Sequence, residues 1–229
     1  MATGPLAILI RYLPLAVGVV PLTAVSVAHW LGVEAGQLPG CIPYVDGCVS
    51  ISATGRTAPG SFIFKPVYLA FGLVLTAIWS LVVDWSSAFP RPPTQNRTRM
   101  ILGFGIAGAL ALMVYTSLLG TSGPFYEFMR RFGIYVFFVG TVVAQLLTRL
   151  ALPTGTLRRW MLLVVSLPFV LGALNLVLKY LLDDANAAEN RIEWIVSLAM
   201  QAWFVLLHVA WRQTGFPGAA TTGSTSAHR

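Results

Sequence analysis

The sequence predicts an all-α fold: a polytopic membrane bundle of about six transmembrane helices, with cytoplasmic termini and one long exoplasmic loop between helices 1 and 2. Three observations carry this expectation. The 229 residues are 56% hydrophobic and only 10% charged, whereas a soluble domain carries about 25% charged residues. Mean hydropathy is +0.75, and a chain of this size cannot bury nearly all its helices in water. Finally, about six stretches reach the length of about 20 mostly apolar residues that a spanning helix requires.

The first stretch, residues 5–31, is too long for the apolar region of a signal peptide and no A-x-A-like site follows it, so it reads as a retained span. The others cover roughly 66–89, 100–120, 128–150, 160–182 and 192–211. Pro14, Pro21 and Pro168 fall inside spans, where neighbouring helices or waters satisfy the freed carbonyls. Connectors are short and polar except the first, residues 32–65. Residues 1–213 are expected to form the membrane domain, and the small polar residues 214–229 a disordered cytoplasmic tail.

Charge sets the expected orientation. With the N-terminus inside, the inner face carries Arg11, Arg91, Arg97, Arg99, Arg149, Arg158, Arg159, Arg212 and Arg229, with Asp84 as its one acid. The outer face carries Arg56, Lys65, Arg130, Arg131, Lys179, Arg191 and the other seven acids. That divides the net +7 into +8 inside and −1 outside, as the positive-inside rule favours. The sequon at Asn96 is then cytoplasmic and unglycosylated. No basic run with interleaved aromatics suggests nucleic acid.

The loop "CIPYVDGCVSISATGR" would face an oxidising compartment. Cys41 and Cys48 are expected to close a small disulfide ring, the other reading being two free thiols. A zinc site wants four ligands and this loop has no histidine, so neither metal nor cofactor is expected.

Ionisable groups inside a span are functional candidates by default. Span two carries Gly72, Thr76, Ser80 and Asp84 at every fourth position, a polar stripe that also suits ordinary helix contact. Span three offers a small-residue packing face of Gly103, Ala107 and Ala111, beside Gly105, Gly108 and Ala109. Span five aligns Gly172, Asn175 and Lys179, and span six aligns Glu193, Ser197, Gln201 and His208 within a narrow arc. Lys179 and Glu193 share an outer depth, where they either pair or snorkel separately to the headgroups. Arg130 and Arg131 suit a lipid phosphate or a local pair with Glu127. The candidate exoplasmic headgroup site therefore comprises Asp46, Ser50, Ser52, Thr54, Arg56, Glu127, Arg130, Arg131, Lys179, Glu193 and Trp194. The candidate intramembrane polar set is Asp84, Asn175, Gln201 and His208. His29, His208 and His228 read as interfacial polar tips, with no nearby partner for a triad.

Ser50-Ile51-Ser52-Ala53-Thr54-Gly55 in the first loop and Glu193-Trp194 opening the last span, on a six-span plan, carry a resemblance. The chain resembles the DRAM-type membrane family, which includes the FRAG and SFK proteins, a post-GPI-attachment factor and the N-terminal domain of the CWH-type protein. Relatives carry a histidine near the outer end of span four, where "MRRFG" stands here. The resemblance implies lipid handling in the plasma membrane or an endomembrane, without assigning a catalytic residue.

Three functions remain open at this level. One is a non-catalytic protein that binds lipid or glycolipid headgroups and assists GPI-type remodelling or membrane organisation, with membrane lipids and other membrane proteins as partners. Another is an acyl or headgroup transferase recruiting Asp46, Ser50, Ser52 or Glu193. The last is a small transporter using the span-six stripe, against which the lack of an evident inverted repeat argues.

Overall fold

The computed structural model describes residues 4–90, 92–152, 154–182 and 184–217. Its elements are α1 (Pro5–Glu34), α2 (Pro43–Asp46), α3 (Ile51–Thr54), α4 (Gly60–Ser87), α5 (Gln95–Ser117), α6 (Pro124–Ala151), α7 (Thr156–Leu181) and α8 (Asn186–Thr214). Six of these are long and apolar enough to cross a membrane. The shortest has 23 residues, or about 35 Å at 1.5 Å per residue, against a hydrocarbon core of about 30 Å. This is the architecture of a multi-pass integral membrane protein.

Local chemistry sets several ends. The Thr94 hydroxyl accepts from the Arg97 N–H and starts α5. Pro124 opens α6, where its missing N–H costs no helical bond. Gly215, with φ of 71°, ends α8 in the left-handed region. Helix α4 begins six residues before the apolar run suggests. Gly60 lets it start hard against the backbone: a Cβ there would lie 2.3 Å from the Thr54 carbonyl oxygen and 2.9 Å from that of Ala28.

Helix α8 is the most buried span and lies between α1 and α7. Helix α4 packs on α1 and α5, and α5 pairs closely with α6. Helix α7 touches mainly α8 and buries only Met161 and Val165. The interior is rich in aromatic rings. Trp79 of α4 meets Trp203 and Phe204 of α8 at centroid distances of 6.2 and 5.8 Å, and Trp85 meets Trp211 at 6.4 Å. Gly105 makes room for Trp79, whose ring would lie 2.4 Å from a Cβ at that position.

Three sequence expectations shift here. The α5 packing face is Gly105, Gly108 and Ala109, while Gly103 and Ala107 are exposed. Small residues surround this helix on several sides, so the large ring of Trp79 selects the face. Of the α4 stripe Gly72, Thr76, Ser80 and Asp84, only Gly72 packs inward, against Met113. Thr76 and Ser80 turn their hydroxyls back to the carbonyls of Leu73 and Thr76, at 2.7 and 3.5 Å. Asp84 is exposed, three residues before the helix ends, and belongs to no interior polar path. The expected tail also begins late. Thr214 accepts from Trp85 Nε1 at 2.8 Å, and Phe216 is buried against Trp211. Residues 218–229, including His228 and Arg229, and also Arg91, lie outside the described residues.

His208 is buried rather than interfacial. Its Nδ1 lies 2.9 Å from the Arg11 carbonyl oxygen, and its ring is 5.2 Å from that of Tyr12, so it ties α8 to α1. His208→Leu is expected to lose about 0.5–1.5 kcal/mol by removing this bond between helices. Thermal unfolding in detergent measures this, and an unchanged midpoint would refute the staple.

Candidate functional site

The first loop forms a compact cap. Cys41 and Cys48 are joined by a disulfide. The Asp46 carboxylate accepts from the Ile42 N–H at 2.8 Å and closes the turn of α2. Gly47 then takes φ of 64°, and its carbonyl accepts from Asn190 Nδ2 of α8 at 2.9 Å. Trp194, fully buried, donates from Nε1 to the Val49 carbonyl at 2.9 Å. Tyr44 rests its ring edge-on to Trp194 at 5.1 Å, and burial pushes its phenol pKa up. Asp46 and Trp194 therefore hold the loop and face no open site.

The "SISATG" run forms α3 and its flanks. Ser50 caps it, its hydroxyl accepting from the Ala53 N–H at 3.2 Å. Ser50 and Ser52 hydroxyls are 3.0 Å apart, and Arg56 Nη2 donates to Ser52 at 3.0 Å. The buried Thr54 hydroxyl donates back to the Ile51 carbonyl at 2.7 Å and is fully committed locally. Gly120, with φ of 84°, passes beneath Arg56, where a Cβ would lie 2.6 Å from the Arg56 carbonyl oxygen.

Under α3 lies a cavity of about 20 Å³, lined among others by Ile51, Tyr68, Tyr115, Glu193, Ser197 and Gln201. That is room for a water or a single hydroxyl-sized group. The Glu193 carboxylate, partly buried, is turned toward the backbone N–H groups of Ile51 and Ser52. These belong to the first turn of α3, where N–H groups lack helical partners. The Tyr68 hydroxyl donates to the Pro21 carbonyl at 3.4 Å. The Tyr115 hydroxyl is turned toward Ser52 but makes no hydrogen bond. Gln201 is buried with Oε1 unpartnered, and beside it Gln145 donates from Nε2 to the Met200 carbonyl at 3.1 Å.

The structure thus joins Ser50, Ser52 and Arg56 on and beside α3, above the cavity that Glu193 and Gln201 line, and leaves Glu127, Arg130, Arg131, Lys179 and Asn175 apart. Lys179 pairs with Glu189 at 2.7 Å and not with Glu193. Glu189 stands one turn earlier on α8, within reach of the exposed lysine, while Glu193 is covered by α3. Arg130 does not pair with Glu127, which is exposed; it donates to the Leu118 carbonyl at 3.4 Å and to the Thr121 carbonyl, bracing the α5–α6 connector. Arg131 is exposed. Asn175 is partly buried on α7 with Oδ1 unpartnered, outside this cavity. The span-six stripe is interrupted: Trp203, Phe204 and Leu207 fill the interior between Gln201 and His208.

Sequence reasoning missed Tyr68, Tyr115 and Gln145. A tyrosine inside an apolar run carries no signal distinguishing a cavity wall from a membrane-interface anchor. Gln145 stood in plain view as an amide within span four. Among the described residues no group of three or more His, Cys, Asp or Glu is placed to hold a metal. Comparison with protein-family models, curated proteins and solved structures returned no match.

Proposed function

We propose that this protein binds a hydroxyl-bearing lipid or glycolipid headgroup at the end of the bundle that carries α2 and α3, and so assists lipid remodelling or organisation, in the manner of the DRAM-like family. On this reading the α3 end faces the exterior or a lumen, as the arginine distribution favours. One observation carries the proposal: Tyr115, Glu193 and Gln201 all line one cavity beneath α3, and two polar atoms of these residues, Tyr115 Oη and Gln201 Oε1, are buried without partners. Unpaired polar atoms inside a membrane protein cost several kcal/mol each, and a hydroxyl or amide from a headgroup would relieve that cost.

The division of labour follows from size. The cavity takes one hydroxyl or amide, while the bulk of the headgroup stays at the rim with Ser52 and the exposed Arg56. Arg56 supplies the donor array that suits a phosphate or polyol. Ser52 is engaged by Ser50 and Arg56, neither of which is a base. The site therefore supports binding better than nucleophilic catalysis.

Mass spectrometry of lipids retained by the purified protein tests the reading. Tyr115→Phe and Arg56→Ala are each expected to lower a retained hydroxylated lipid about two- to tenfold, the value of one hydrogen bond. Arg131→Ala should leave it unchanged. Equal retention by wild type and both site variants would defeat the proposal.

A further inference from the structure

A second feature lies at mid-height on the side of the bundle that carries α7. Helices α1, α7 and α8 enclose an open groove of about 420 Å³, lined by Gly18, Leu22, Trp160, Val164, Ala202 and Val205 among others. This falls in the volume range of ligand sites, about 300–1,000 Å³. The groove exists because α7 stands off from the bundle, burying only Met161 and Val165, while α1 and α8 meet tightly at its floor. A Cβ on Gly18 would lie 2.8 Å from Val205 Cγ2. Its walls are apolar, and the hydroxyl of Thr23 is turned back to the Val19 carbonyl at 3.1 Å.

The inner ends of the helices that form the groove are cationic. Arg11 lies seven residues before Gly18, two helical turns away on the same face. Arg212 lies seven residues after Val205, again two turns along the same face. His208 bonded to the Arg11 carbonyl shows that these ends of α1 and α8 adjoin. Arg11 Nε is buried without a partner, Arg212 is exposed, and Arg159 stands exposed beside Trp160 on the first turn of α7. One acid, the exposed Asp84 of α4, stands at this end, and residues 1–33, 149–182 and 194–229 contain no Asp or Glu, so the arginines remain in excess.

We propose that this groove holds an acyl chain of an anionic phospholipid, with its phosphate against Arg11 and Arg212. An apolar trough beside an excess of guanidinium groups is complementary to a lipid that combines a hydrocarbon chain with a phosphate. A zwitterionic lipid offers the chain but offsets the charge. With the N-terminus cytoplasmic, the lipid belongs to the cytoplasmic leaflet, where anionic lipids concentrate. The site is separate from the cavity under α3 and does not depend on it.

Native mass spectrometry of the full chain in detergent, offered equimolar phosphatidylglycerol and phosphatidylcholine, tests this. Wild type is expected to retain phosphatidylglycerol at least about tenfold over phosphatidylcholine, or 1.4 kcal/mol. Arg11→Ala with Arg212→Ala should bring the two lipids level. Ala202→Phe, which fills the trough, should reduce retention of both. Should Ala202→Phe fail to fold, Arg212→Ala alone changes an exposed side chain and is expected to cut the preference about threefold. Equal retention by wild type, meaning a non-selective annulus only, would overturn the proposal, as would a preference that survives loss of both arginines. Glu193→Gln must leave the preference intact. If it abolishes it, the anionic lipid sits under α3 and the groove assignment fails.

Discussion

Gly47→Ala is expected to release the loop from α8 and to cost about 2–4 kcal/mol. Two effects combine at this position. The backbone sits at φ of 64°, which an alanine adopts only with strain. A Cβ there would also lie 1.9 Å from the Ala187 carbonyl oxygen and 2.7 Å from its carbon. Both are backbone atoms of α8 and cannot turn aside as a side chain would. The chain must separate, and with it go the Asn190 bond to the Gly47 carbonyl and the Trp194 bond to the Val49 carbonyl. Gly36→Ala is the matched control: it shares a positive φ of 68° but has open space around it. Hydrogen exchange at the amides of residues 49–54 should rise strongly in Gly47→Ala and little in Gly36→Ala. Equal, small changes in both would show that the loop is not clamped at Gly47.

Glu193→Ala is expected to disrupt both the cap and the cavity, whereas Glu193→Gln should affect only the cavity. Alanine leaves the N–H groups of Ile51 and Ser52 without the acceptor they face, a loss of about 0.5–1.5 kcal/mol. Glutamine keeps an acceptor oxygen for those N–H groups but replaces the carboxylate presented to a bound hydroxyl. Thermal unfolding and lipid retention, measured on both variants, separate the roles. The expected pattern is a lowered midpoint for alanine only, with retained headgroup lipid reduced about tenfold or more in both. Full lipid retention by Glu193→Gln at an unchanged midpoint would make Glu193 a cap for α3 and nothing more.

The long apolar runs were legible because spanning a membrane is a property of a local window: length and hydropathy alone decide it. The observed helix ends differ from the apolar runs by up to several residues because a helix continues past the hydrocarbon wherever caps or close contacts support it. Gly60 and Thr214 are the examples. The spacing of Cys41 and Cys48 allowed the small ring of the first loop, and the expected oxidising compartment favoured it over two free thiols. The position of Glu193 under α3 was not. Periodicity places it on an arc of α8 but cannot say that a four-residue helix from another part of the chain covers that arc. Lys179 illustrates the same limit. Its depth matches Glu193, yet lateral reach and the cover of α3 give it to Glu189.

By itself the sequence determined that the chain is a bundle of about six membrane-crossing helices, with a polar, cysteine-bearing segment between the first two. It determined this because hydrophobicity and charge act residue by residue. Only the tertiary structure decided which polar groups meet. Tyr68 and Tyr115 come from helices that the sequence could not register against α8. Their rotation is set by the packing of Trp79, Gly105 and the other bulky and small residues of the core. Close contact between rings and glycines turns generic apolar helices into one arrangement, and that arrangement creates the cavity under α3 and the groove beside α7.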